Sequence, residues 1–325
     1  MPTLNITLIE SKWARWILYP IVLIIVGYLL SGISFSKNNG FDLTGSLIPA
    51  AQIHHGGPPR DGIPSIDEPD FVKANHVNFL KQDDRILGLV YKGIARAYPI
   101  KILNYHEIVN DNFHQQAIIV SYCPLCGSGV AFKTKMNLRD NTFGVSGLLY
   151  NSDMLLYDRE TKSLWSQLLG KAISGKLKGT QLDLLVLHDT TWKDWLERNP
   201  TTDVLSTDTG YRRNYSQHPY GQYDLNSAIY FPVKHSSARF HPKERVFGIT
   251  IGKSHKAYPV SELSKQNKSV ITDTFLGEKL SIEFDAKNQS AVIYNSQHKV
   301  LPSTTLFWFA WYAFHPETEI YKYKK

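Results

Sequence analysis

The sequence predicts a mainly β (β-rich α+β) fold with an internally duplicated β unit, preceded by a single N-terminal transmembrane helix. Three observations carry that expectation. Eighteen Tyr, fifteen Phe and seven Trp, with Val, Ile and Thr in short runs punctuated by Gly, Pro and Asn, suit half-buried strands better than long helices. One pattern of strands and turns occurs twice. A single apolar stretch, at the N-terminus, has the length to span a bilayer.

In chain order, residues 16–33 come first: almost wholly apolar, uncharged, preceded by Lys12 and Arg15 and followed by the polar run 34–40. At about 1.5 Å per residue such a helix just crosses a hydrocarbon core of roughly 30 Å. Positive charge on its N-terminal side predicts a cytoplasmic N-terminus and an extracytoplasmic main domain, periplasmic or extracellular. A cleaved signal peptide shares this layout, but no clear small-x-small site precedes Lys37. The expectation is therefore a retained, single-pass anchor over residues 1–35 and a linker over 36–55. The extracytoplasmic domain is then 56–325. Its formal charge of +7 is scattered, with no stripe suited to a phosphate backbone. The expected partners are the membrane and a membrane protein complex; nucleic acid is excluded.

Gly-Gly-Pro-Pro-Arg-Asp-Gly-Ile-Pro (56–64) rules out helix and central strand. It reads either as a loop framing a site, with His54 and His55 in reach, or as a wrapped linker. Next comes the repeat. Arg85-Ile86-Leu87-Gly88 followed by Ala97-Tyr98-Pro99-Ile100 recurs as Arg245-Val246-Phe247-Gly248 followed by Ala257-Tyr258-Pro259-Val260, with the same Gly-to-Tyr spacing. Strand, tight turn and strand follow in each. The predicted units are about 80–135 and 240–296, with a segment inserted between them.

The copies differ at the residues that carry chemistry. Cys123 and Cys126 are replaced by Asp285 and Asn288, and Tyr105-His106-Glu107 by the polar Lys265-Gln266-Asn267. Apolar strand positions match. The hairpin is therefore scaffold, and the Cys and His residues are additions to one copy. Between the copies, 144–158 reads as strand and turn and 161–167 as a short strand. A helix over 191–198 has Thr190 or Thr191 as cap, Asn199-Pro200 as stop, and Trp192 and Trp195 as core anchors. The Tyr-rich stretch 211–223 is a loop, for packing or for binding a partner. The apolar run 306–314 is too short to span a bilayer, so it closes the core or lies at the interface. If helical, it sets His315 on the face of Trp308, Trp311 and Tyr312, and Pro316 stops it.

Two cysteines three residues apart cannot form a disulfide scaffold. Cys123-Pro124-Leu125-Cys126-Gly127 between two strands has the form of a metal knuckle. Backbone N–H groups aim at the sulfurs, and Gly127 accommodates the positive φ at the turn's end. A closed zinc site takes four ligands, and the expected set is Cys123, Cys126, His106 and His315. That set suits Zn; a distorted version with Met154 or an open position suits Cu. A thiol–disulfide protein using Cys123 and Cys126, a nucleophilic Cys with His106 as base, and a purely structural turn stay open. A thioredoxin-type motif opens a helix, whereas 127–132 returns as a strand. The sequence holds no nucleophile-elbow serine, P-loop or dinucleotide fingerprint, so no catalytic residue is assigned.

At these residues the chain resembles the domain-of-unknown-function 3179 family, exported proteins of bacteria and archaea, over nearly everything after residue 50. The motifs that carry the resemblance are the 56–64 loop, Ala-Arg-Ala-Tyr-Pro (95–99), His-Glu-Ile-Val-Asn-Asp (106–111) and Tyr-Cys-Pro-Leu-Cys-Gly-Ser (122–128). Tyr-Asp-Arg-Glu-Thr (157–161), Ser-Leu-Trp-Ser-Gln (163–167) and Trp-Phe-Ala-Trp-Tyr-Ala-Phe-His-Pro-Glu-Thr (308–318) complete them. The resemblance implies an exported or anchored protein and places His106, Cys123, Cys126 and His315 in family motifs. It supplies no activity. The expected function is a membrane-anchored extracytoplasmic metal-binding protein with Cu or Zn, serving redox chemistry, metal delivery or a membrane complex. A thiol–disulfide redox protein and a non-enzymatic interaction subunit are the alternatives.

Overall fold

Runs of aliphatic, β-branched and aromatic residues too short for long helices, each closed by a turn, give 39% strand against 12% helix in five sheets with a propeller-like arrangement. The structure, a computed structural model, describes residues 38–134 and 142–324. The predicted anchor, residues 16–33, lies outside the described residues. Among the described residues no helix is long and apolar enough to cross a membrane.

Strands β1 (Ile53–His55) and β2 (Phe71–Lys73) precede the first copy. That copy runs β3 (Arg85–Tyr91), β4 (Ile94–Pro99), α1 (Ile100–His106), β5 (Ile108–Phe113), β6 (Gln116–Cys123) and β7 (Ser128–Lys133). The inserted segment folds as β8 (Phe143–Tyr150), β9 (Asp153–Asp158), β10 (Leu164–Ser166), β11 (Lys171–Ala172) and β12 (Asp183–Leu184). Then come β13 (His188–Thr191), α2 (Trp192–Arg198) and β14 (Asp203–Leu205). The second copy is β15 (Arg245–Ile251), β16 (Ser254–Pro259), α3 (Val260–Ser264), β17 (Val270–Phe275), β18 (Glu278–Asp285) and β19 (Ser290–Tyr294). The last elements are β20 (Ser303–Phe307), α4 (Trp308–Phe314) and β21 (Glu319–Ile320).

Each copy therefore continues beyond its hairpins into a strand–helix–strand closure. β13 pairs antiparallel with β3, Thr191 opposite Arg85, as β20 pairs with β15, Phe307 opposite Arg245. β14 and β21 then lie parallel to β4 and β16. The closing helices bury equivalent indoles. Trp195 rests on Gly88 and Trp311 on Gly248, where any Cβ would fall 2.3 and 2.1 Å from the rings. Their N–H groups donate to Thr202 and Thr318 Oγ1 at 3.0 and 2.9 Å. The glycine that ends each Arg-x-x-Gly signature is thus the floor for a tryptophan more than sixty residues downstream. The run 306–314 closes the core, with Trp308, Phe309, Ala310, Trp311 and Ala313 buried on α4.

The copies clasp each other. Phe307 N–H donates to Cys126 O at 2.8 Å, and Thr191 Oγ1 donates to Asn288 Oδ1 at 2.7 Å, so each copy's turn seats on the other's strand–helix junction. Between them the Asp189 carboxylate accepts from Arg85 and from Arg245, each at 2.5 Å. The 56–64 loop wraps against the fold, with Ile63 packed on the core cluster that holds Cys123 and Cys126. Arg60 donates to Asn39 O at 2.9 Å and lies 4.0 Å from the Phe41 ring centre, and Asp61 accepts from Tyr157 OH at 2.5 Å. His55 is held by Asn39 Oδ1 at 2.9 Å.

Candidate metal centre

The knuckle forms where β6 ends. Cys123 pairs with Ser128 across the hairpin, so residues 124–127 make the reversal. Gly127 has φ +59°, and the Phe307 ring stands 2.9 Å from where a Cβ would lie, so both backbone and packing require glycine. The sulfurs face inward: Cys123 is 1% and Cys126 0% exposed.

The third group comes from the insertion. The β8–β9 hairpin reverses over Asn151 and Ser152, at φ +52° and +66°, the paired left-handed conformation of a two-residue hairpin turn. Asn151 locks the tip: its Nδ2 donates to Ala313 O at 3.2 Å and its Oδ1 accepts from Lys234 N–H at 2.8 Å. The next residue, Asp153, is thereby delivered to the knuckle. Ligand atoms of Cys123, Cys126 and Asp153 lie within 4.8 Å of one another, and among the described residues this is the one such group able to hold a metal ion. Leu168 N–H donates to Asp153 Oδ2 at 3.1 Å, which orients the carboxyl group, while Oδ1 is buried with no partner. The Ser152 carbonyl accepts from Cys126 Sγ at 3.4 Å.

Burial sets the electrostatics. It pushes both thiols up, Cys126 strongly, and raises Asp153 to about 8 and Glu107 to about 7. Four acidic groups thus share a dry region in which their charged forms are disfavoured. Lys243, lowered to about 8 by burial, is already committed. It donates to Tyr223 O and Ala228 O at 3.0 and 2.8 Å and lies 3.1 Å from the Tyr223 ring centre. A bound cation would supply the missing charge and give Asp153 Oδ1 its partner, so the donor set fits a metal.

Two predicted ligands do not join this group. His106 faces away: its Nδ1 is 2.8 Å from Pro64 O and its Nε2 2.6 Å from Tyr215 OH. A carbonyl can only accept, so Nδ1 carries the proton and Nε2 accepts from the tyrosine. Burial lowers the pKa of His106 and favours this neutral form. His315 ends α4 stacked on His255 at 3.8 Å, with its pKa driven to about 3 by burial and then by His255. Met154 follows Asp153 on β9 and so points to the opposite face, where its sulfur accepts from Ser121 Oγ at 3.5 Å.

The triad Tyr105-His106-Glu107 instead pins a cover. Tyr105 OH donates to Asn214 O at 3.0 Å, Tyr215 OH donates to His106, and Tyr220 OH donates to Glu107 Oε1 at 3.2 Å. The Tyr-rich loop therefore packs over the sulfurs, with Tyr223 only 1% exposed. In the second copy the counterpart of His106, Gln266, donates instead to Tyr321 OH at 2.5 Å, just after β21.

Over residues 60–318 the chain matches the family described as "Protein of unknown function (DUF3179)". It belongs to the DUF3179 family. No curated protein and no solved structure matches it. Several motifs of this DUF3179 chain serve the scaffold around the centre. Trp165 Nε1 donates to Asp158 Oδ2 at 3.0 Å, and Arg159 pairs with Asp67 at 2.6 Å. Gln167 accepts from Ser128 Oγ at 2.8 Å, bracing the knuckle's return strand. Asp153 was missed because its hairpin, legible as strand and turn, gives no sign of where its tip lands. The buried-acid environment exists only after folding.

Proposed function

We propose that this DUF3179 member is a membrane-anchored extracytoplasmic protein that holds a resident divalent metal, Zn in preference to Cu, at Cys123, Cys126 and Asp153. The observation that carries the reading is Asp153 Oδ1: a fully buried carboxyl oxygen with no protein partner, in reach of two sulfurs. Two thiolates and a carboxylate suit Zn, whereas Cu(I) favours thiolate with imidazole or thioether, and neither His106, His315 nor Met154 supplies one. Burial under the Tyr-rich loop supports a resident metal over a cargo for delivery. Buried thiols with raised pKa values also weigh against thiol–disulfide exchange, which needs an accessible thiolate. The anchor over residues 1–35 rests on the apolar run and its flanking charges.

The test is elemental analysis of the full chain purified in mild detergent under reducing conditions. About one metal per chain is expected, falling to a small fraction in Cys126→Ser and Asp153→Asn and unchanged in His315→Asn. Absence of stoichiometric metal after metal-replete preparation would refute the proposal. Alkaline carbonate washing of membranes, which strips peripheral proteins, tests the anchor: release of the intact chain would remove it.

A further inference from the structure

We infer that the metal keeps a fourth position for a small neutral donor, held by the hydroxyls of Tyr223 and Ser152; this rests on the metal reading above. Zinc takes four ligands, and the chain offers three. Glu107, the remaining acid of the cluster, lies outside the group whose ligand atoms are mutually within 4.8 Å.

Unpartnered atoms point the same way. A metal accounts for Asp153 Oδ1; of the three further buried oxygens without a partner among the described residues, Asn104 Oδ1, Ser152 Oγ and Tyr223 OH, the last two belong to segments packed on the centre. Ser152 is 0% and Tyr223 1% exposed. The Ser152 carbonyl already faces Cys126 Sγ, and Tyr223 packs in the same buried cluster as Cys123 and Cys126. Buried hydroxyls are ordinarily satisfied. A donor seated on the metal would partner both, which a closed four-ligand protein site would not do.

Charge selects its class. Two thiolates and a carboxylate on a divalent ion leave one negative charge, which Lys243 offsets through Cys126 and which the buried acid Glu107 augments through Asp153. An anion would enter a region already at or beyond neutrality, whereas water, or an uncharged hydroxyl or amine compound, adds no charge. Tyr223 and Pro124 also line a cavity of about 600 Å³, which approaches the centre through these two residues while the three ligands themselves stay buried behind them. An open position of this kind belongs to metal centres that act on a ligand rather than to those that only brace a fold.

The experiment replaces the metal with Co²⁺ in the full chain in mild detergent and follows the visible ligand-field bands. Imidazole serves as neutral probe and azide as anionic probe. The expected result is a saturable band shift with imidazole, weakened about three- to tenfold in Tyr223→Phe or Ser152→Ala, with Co²⁺ stoichiometry unchanged. Tyr223→Phe keeps the ring under Lys243, so it tests the hydroxyl alone. Bands that neither probe moves, bands that azide moves and imidazole does not, or equal responses in wild type and both variants would each overturn the inference. Failure to bind Co²⁺ at all overturns the metal reading itself and is distinguishable from these.

Discussion

Stripping the metal should leave a pH signature that belongs to Asp153. Its pKa in the metal-free fold is about 8, against about 3.9 for an unfolded chain. Between those values the native chain holds a proton that the unfolded chain has released, so stability falls as pH rises. From pH 5 to pH 7 the loss is two units at about 1.4 kcal/mol each, or about 3 kcal/mol, with no discount for solvent because the group is fully buried. Asp153→Asn keeps the shape, and its amide oxygen can still accept from Leu168 N–H, but it does not titrate. Glu107 acts in the same sense as Asp153, while His106, His188, His255 and His315, all lowered by burial, act in the opposite sense. The histidines are common to both proteins and cancel in the comparison, whereas Glu107 acts on Asp153 and adds to the difference between them. Melting followed by circular dichroism in excess chelator should therefore show wild type losing about 6–12 °C more than Asp153→Asn between pH 5 and pH 7. An identical pH response in the two proteins would refute the reasoning. Adding Zn should reverse the trend in wild type, because binding displaces protons and strengthens with pH.

Three further outcomes follow from the geometry. His106→Phe should cost about 1–3 kcal/mol in urea denaturation by leaving Pro64 O without its donor and Tyr215 OH with Thr209 Oγ1 alone, yet retain full metal content; metal loss in a folded variant would return His106 to the ligand set. Asp189→Asn leaves two guanidinium groups without their shared carboxylate and should destabilise by about 3–5 kcal/mol; a loss under 1 kcal/mol would show that the clasp between copies carries little. Gly248→Ala drives a methyl group into Trp311, 2.1 Å away, and should cost at least about 1–3 kcal/mol, measured as a lowered denaturation midpoint, whereas Gly252→Ala, with open space but φ +63°, should cost less.

Much of the scaffold was legible because it depends on local periodicity. Paired Arg-x-x-Gly and Ala-Tyr-Pro signatures marked two β units, and Thr191 and Asn199-Pro200 bounded a helix whose cap accepts from Asp194 N–H at 3.3 Å. The closing strand–helix–strand of each copy escaped notice because residues 134–187 separate β7 from β13 whereas 295–302 suffice between β19 and β20. That disparity hides the equivalence of Trp195 and Trp311 until both are seen on their glycines. Histidine was a reasonable expectation for the missing ligands, since it is the commonest partner of cysteine at zinc, but residue type says nothing about which way a ring faces once its nitrogens have carbonyl and hydroxyl partners.

The knuckle at Cys123–Gly127 could be read in advance because turn chemistry is local: a Pro, a Gly in the left-handed region and two flanking strands determine how the sulfurs are presented. What they are presented to is a tertiary matter. Asp153 arrives from an inserted hairpin, Tyr223 from a crossover loop pinned by Tyr105, His106 and Glu107, and Phe307 from the other copy. The raised pKa values and the unpartnered oxygen arise only when those segments exclude water together, since desolvation belongs to the assembled core and to no segment of the chain taken alone.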